Sequence, residues 1–206
     1  MNFLAHLHLS GDDPGWILGG ILGDFAKGQI VEGRFPEPVR QGIILHRKID
    51  AFTDSHPEWL KSKELLLEEQ RKFAGIVVDV VYDHFLAVHW SKYSDVPFDQ
   101  WITAVYNTLT EQITTLRDQI KDPSERLDEA AEVIDIMIHN DWLRSYLDRD
   151  GISGTLTRIS YRSPRLAPMR ESGFEYLKSY SDFEDHFLSF YPDLLEAVKK
   201  MRDHAA

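Results

Sequence analysis

An all-α, single-domain helical bundle of about eight helices is what this sequence predicts, on three observations. Apolar residues recur at three- and four-residue spacing along most of the chain. No Asn-Gly hairpin and no sustained period-2 run appears. The 206 residues hold 43% apolar and 28% charged side chains and no repeat or Ser/Gly-rich linker, which suits one domain over residues 1–206.

The helices follow from their punctuation. Asp13-Pro14 reads as an N-cap followed by proline at the first helical position, with Leu18, Leu22 and Phe25 on one face and Gly28 as the C-cap. Pro36 and Pro38 open a second helix that lays Val39, Ile43, His46, Asp50 and Thr53 along one side. Ser55-His56-Pro57 ends it and starts a helix to about Arg71. The run from Gly75 to Trp90 is β-branched, but the spacing of Val78, Val81, Tyr82 and Phe85 makes it a buried helix. Helices are expected from about Pro97 to Gln119 and from about Ser124 to Leu147, with a short one after Gly151, a new start at Ser163-Pro164, and a last region from Ser181 striped by Phe183, Phe187, Phe190 and Tyr191.

Composition excludes several classes. With no cysteine there is no disulfide, no thiolate zinc site and no thiol nucleophile, so any metal rests on His and carboxylate. A net charge of −11 argues against a sequence-independent grip on nucleic acid. No apolar run is long enough to span a membrane, and the opening residues lack the basic and apolar regions of a signal peptide, so a cytoplasmic protein is expected.

Three clusters could carry chemistry. His46 and Asp50 stand four apart, on one helix face, either as metal ligands or as a surface ion pair worth about 0.3–0.5 kcal/mol. Asp79, Asp83 and His84 interrupt a run of Val, Ile, Tyr and Phe. Unpaired buried carboxylates cost several kcal/mol, so these either bind a metal or accept hydrogen bonds from an arginine. Asp24 falls near a helix C-terminus, where the dipole disfavours an anion; either a cation holds it or the end frays. His6 and His8, two apart, face differently, so one site takes at most one of them. Bundles build metal centres from such inward-facing groups, and mixed His/Asp donors suit Mn, Fe, Mg or Zn, which favours a metal-dependent hydrolase. Basic residues add an anion preference. Residues 151–169 hold no acid but carry Arg158, Arg162 and Arg165, Arg170 follows, Arg47 and Lys48 flank His46, and Lys27 lies three beyond Asp24.

The blocks NFLAHLHL at the start, GDFAKG (23–28), GIILHRKIDAFTD (42–54), DVVYDHFL (79–86) with His89-Trp90, RSPRL (162–166) and FYP (190–192) make the chain resemble the acyl carrier protein phosphodiesterase family over nearly its whole length. The resemblance implies an all-α fold akin to the HD-type phosphohydrolases, removal of the 4′-phosphopantetheine arm from holo acyl carrier protein, and Mn²⁺ as the favoured ion ahead of Mg²⁺ or Fe²⁺. The His-Asp dipeptide that names the HD enzymes is absent; Asp83-His84 stands instead, and His46 precedes Arg47. On this resemblance the expected metal ligands are Asp24, His46, Asp79 and His84, with Asp50, Asp83 or His6 as further ligands or proton carriers. Lys27, Arg47, Arg162 and Arg165 would hold the phosphate, and Arg158 and Arg170 would help dock the partner. A related hydrolase of small nucleotides or phosphate esters, or a non-catalytic helical interaction module, are the alternatives.

Overall fold

A computed structural model describes residues 1–28, 33–66, 68–120, 126–161, 163–167, 169 and 176–203. Among these there are ten α-helices and no strand. In chain order they are α1 (Phe3–Leu9), α2 (Pro14–Leu22), α3 (Glu37–Ser55), α4 (Pro57–Glu64), α5 (Ala74–Val88), α6 (Phe98–Gln119), α7 (Leu127–His139), α8 (Trp142–Ser145), α9 (Arg149–Ser160) and α10 (Tyr180–Asp203). None is long and apolar enough to cross a membrane.

Helix α5 carries apolar residues around most of its circumference, Asp79, Asp83 and His84 excepted, which is the signature of a helix surrounded by others. Val77, Val78, Val80, Val81, Tyr82, Phe85 and Leu86 are each at most 1% exposed. Helices α1, α4, α9 and α10 pack around it, and α10 covers it with the fully buried Phe183, Phe187 and Phe190. Helices α2 and α3 form the tightest pair, and α6 lies against α2 and α7.

Three expected boundaries shift. Helix α2 stops at Leu22 rather than running to Gly28, and a turn follows in which Gly28 adopts φ +75°. Helix α4 ends at Glu64 and the chain continues as a 3₁₀ helix, Glu68–Phe73, that packs against α5. The helix expected to about Leu147 breaks after His139, where Asp141 takes a left-handed φ of +49° that short polar side chains tolerate. Tyr106 of α6 holds that break: its hydroxyl donates to Asp141 Oδ1 and accepts the Leu143 N–H at 3.0 Å.

Candidate metal centre

Helix α3 carries His46 in mid-helix, 4% exposed, with Asp50 one turn later at the solvent edge. Its Nδ1 lies 2.7 Å from the carbonyl oxygen of Gly20. That carbonyl needs a donor because the last turn of α2 tightens: Asp24 N–H bonds Ile21 O, three residues back, instead of Gly20 O. A carbonyl only accepts, so Nδ1 carries a proton, and Nε2 is the nitrogen whose lone pair becomes available when the ring is neutral. Nε2 lies 3.1 Å from Asp50 Oδ2 and 3.7 Å from Asp24 Oδ1.

His6 completes the group from α1. Its ring stacks on His46 with centroids 3.8 Å apart and planes 15° from parallel. His6 is 2% exposed, and its Nε2 lies 3.1 Å from Asp50 Oδ1 without the alignment of a hydrogen bond; neither ring nitrogen has a hydrogen-bond partner. Burial, with the neighbouring His46, drives its pKa down to about 3, so the ring is neutral. Burial also pulls His46 down, but Asp50, and then Asp24, outweigh it and leave the pKa raised. For Asp50 burial pushes upward, and the His46 imidazole, with the Met1 amine, overcomes it, holding the carboxyl well below the usual range.

One ligand atom from each of His6, His46 and Asp50 lies within 4.8 Å of the others. These residues fit a divalent metal. The observation that tests the fit is the His6 ring, since an unpartnered buried polar group costs about 1–3 kcal/mol and a cation at Nε2 would remove that cost. Two imidazoles and a carboxylate are donors suited to first-row divalent ions, and the Nδ1–H bond to Gly20 is the kind of outer contact that orients such a ligand. Asp24, half exposed, borders the same cluster on its open side.

Two of the three α5 groups, Asp83 and His84, go elsewhere. Asp83, fully buried, accepts the N–H of Leu4 (2.8 Å) at Oδ2 and of Ala5 (3.2 Å) at Oδ1. It caps α1 from another helix, in place of Asn2, whose side chain donates to Tyr146 Oη instead. Burial raises its carboxyl to about 7 even though the Leu4 N–H opposes it. A seven-residue helix is too short to persist alone, so this cap helps place His6. Asp83 therefore stands behind the centre rather than in it.

His84, expected as a ligand, is not brought to the cluster. Its Nδ1 donates to Tyr146 O at 2.6 Å and its Nε2 accepts from Tyr180 Oη at 2.8 Å, so both nitrogens are spent. Asp79 does approach: Trp59 Nε1–H donates to its Oδ1 at 2.9 Å, and the Met1 α-amine lies 3.2 Å from Asp79 and 3.6 Å from Asp50. Burial lifts its pKa against the pull of that amine and of Trp59.

The expected phosphate and docking cations are dispersed. Arg47 donates to the carbonyls of Ala26 (2.7 Å) and Gly28 (2.8 Å), so it ties down the turn after Asp24 rather than pointing at an anion. Arg158 lies over the Trp142 ring and donates to Thr155 Oγ1 at 2.7 Å, which turns it inward from a docking rim. Lys27 and Arg165 are exposed, while Arg162 and Arg170 lie outside the described residues. Sequence reasoning missed Gly20 and Gly23 as supports of His46; the four-residue repeats Gly15-Gly19-Gly23 and Pro38-Gly42-His46 were the signal for Gly23, and neither repeat contains Gly20.

Comparison with known proteins bears on the whole chain. The profile of the family described as acyl carrier protein phosphodiesterase matches residues 1–194. A protein of that name from Escherichia coli O6:H1 is 35% identical over 201 residues, 97% of this chain and 98% of that protein. One from Salmonella agona is 34% identical over 202 residues, 97% of this chain and 99% of that protein. No solved structure matches.

Proposed function

Because the chain belongs to the acyl carrier protein phosphodiesterase family, we propose that it hydrolyses the phosphodiester linking 4′-phosphopantetheine to the serine of holo acyl carrier protein. The products are 4′-phosphopantetheine and the apo carrier protein. The observation that carries this reading is the convergence of His6, His46 and Asp50, two helices apart in the chain, in a protein matched end to end by that family.

His6 Nε2, His46 Nε2 and an Asp50 oxygen would hold a divalent ion, Mn²⁺ by the family resemblance, with Asp24 on the open side. Such an ion acidifies a water molecule and draws negative charge from a phosphoryl oxygen. The remaining work falls to the chain. Gly20 keeps the His46 ring in one tautomer, and Asp83 keeps α1 and His6 in place. The water gives up one proton to solvent on the open side, its oxygen adds to phosphorus, and the bond from phosphorus to the serine oxygen breaks with its electron pair left on that oxygen. The departing oxygen takes up a proton from solvent on the open side, and Asp79, its pKa raised by burial and its carboxyl fixed by Trp59, stands beside the cluster. Lys27, exposed, would meet the phosphate and Arg165, also exposed, the acidic partner, while the sequence assigns Arg162 to the phosphate and Arg170 to docking. The setting is the cytoplasm, and one domain does the work.

Mass spectrometry of holo acyl carrier protein after incubation with this protein tests the reading. Loss of the arm with Mn²⁺ and its retention with EDTA is the expected result. An intact arm across several carrier proteins, with turnover of a small phosphate ester instead, would transfer the assignment to that substrate class.

A further inference from the structure

Helices α2 and α3 meet along a seam that repeats every four residues on both sides. A β-carbon added at Gly15 would lie 2.5 Å from Pro38 Cβ, and one at Gly19 would lie 2.6 Å from Gly42 Cα. Those two rungs bring helix backbones together. The third rung differs, because the group facing Gly23 is the imidazole of His46. A β-carbon at Gly23 would overlap Cγ and Cδ2 of that ring and sit 2.7 Å from its Cβ, against about 3.5–4.0 Å for carbons in ordinary contact. The overlap is with the ring and its root, so no rotation about a distant bond relieves it.

The same turn of α2 supplies the carbonyl that accepts from His46 Nδ1. Gly20 therefore pulls on the ring while Gly23 gives it room, and the ring can sit flat against His6 with Nε2 toward Asp50. A ring displaced by a side chain at 23 would lose the Gly20 bond, the stack on His6, or both.

We propose that Gly23 is a positioning residue for the reaction, acting through His46: the missing side chain lets the end of α2 clamp the imidazole so that its Nε2 faces the divalent metal. The inference rests on the reading of His46 as a ligand. Its chemistry is that of an outer contact whose loss weakens metal affinity without removing a donor atom. Such losses cost roughly 10- to 100-fold in affinity.

The test is calorimetric titration of Mn²⁺ into the full chain stripped with EDTA, comparing wild type, Gly23→Ala and His46→Ala. Gly23→Ala is expected to bind Mn²⁺ about 10- to 100-fold more weakly while remaining folded in EDTA, and excess Mn²⁺ should restore most of its kcat. A packing defect that leaves the ring in place would lower Tm in EDTA but leave the Mn²⁺ affinity of the folded protein unchanged. Affinity within about twofold of wild type in a folded Gly23→Ala protein overturns the inference. If His46→Ala also binds normally, the ligand reading fails with it; if His46→Ala binds poorly, only the role of Gly23 falls. Should Gly23→Ala not fold, nitrogen NMR of the wild-type ring in the Zn²⁺-loaded protein decides. A protonated Nδ1 with a metal-shifted Nε2 supports the clamp, and the opposite tautomer rejects it.

Discussion

Helices α3 and α5 each carry carboxylates and an imidazole at close spacing, and they use them in opposite ways. On α3, His46 and Asp50 stay together and meet His6 at one point. On α5, three groups within six residues separate: Asp79 goes to Trp59 and the Met1 amine, Asp83 to the start of α1, and His84 to Tyr146 and Tyr180. The difference lies in what surrounds each helix. Helix α3 has one buried face and an edge toward solvent, so its polar pair shares a single opening. Helix α5 is enclosed, so each polar group must find its own partner on a different neighbour.

Removing a donor from the α3 group should have the largest effect on turnover. His46→Ala is expected to lower kcat/KM for holo carrier protein by about 10³-fold or more, which is about 4 kcal/mol of transition-state stabilisation, and to abolish the Mn²⁺-induced rise in Tm. Near-normal turnover would remove His46 from the centre.

Breaking an α5 group should act first on folding. Asp83→Ala leaves two buried N–H groups of α1 without an acceptor and is expected to cost about 2–4 kcal/mol in urea unfolding. A stability loss below about 0.5 kcal/mol would mean the cap contributes nothing measurable.

The third contrast is in pH. Burial holds His84 below its ordinary pKa, opposed in part by its bond to the Tyr146 carbonyl, so the folded protein keeps the ring neutral while the unfolded chain protonates it. Its share of stability is complete above about pH 6.5 and is lost as pH falls below that. Urea unfolding in EDTA at pH 8 and pH 5 should show this loss, and His84→Asn should show less of it. Equal slopes in the two proteins would assign the pH effect to other groups, His6 foremost.

The smallest effect belongs to the exposed rim. Arg165→Glu should raise KM for the carrier protein about two- to fivefold at low salt and leave kcat unchanged, with the difference shrinking as salt is added. A change in kcat alone would place Arg165 at the phosphate rather than at the partner.

Much of this molecule was legible from periodicity. The all-helical class, the burial of α5 and the facing of His46 toward Asp50 all follow from spacing along a single helix, because side chains four apart share a face whatever surrounds it. The break at Asp141 was not legible, since it depends on Tyr106 from another helix. Nor was the fate of His84, whose ligand-like chemistry was consumed by a backbone carbonyl 62 residues away and by a tyrosine hydroxyl 96 residues away. His6 was visible only as one of several further candidates, because nothing local distinguishes it from His8, which ends at Tyr191 instead.

Local sequence thus determined which side chains travel together on each helix and which helices must be buried. The tertiary structure decided which of those groups meet: it stacked His6 on His46, spent His84 and Asp83 on neighbouring helices, and set the imidazole into the space left by Gly23. The physical reason is that a face is fixed by short-range geometry along one helix, whereas a polar group's partner is whichever donor or acceptor packing brings within about 3 Å.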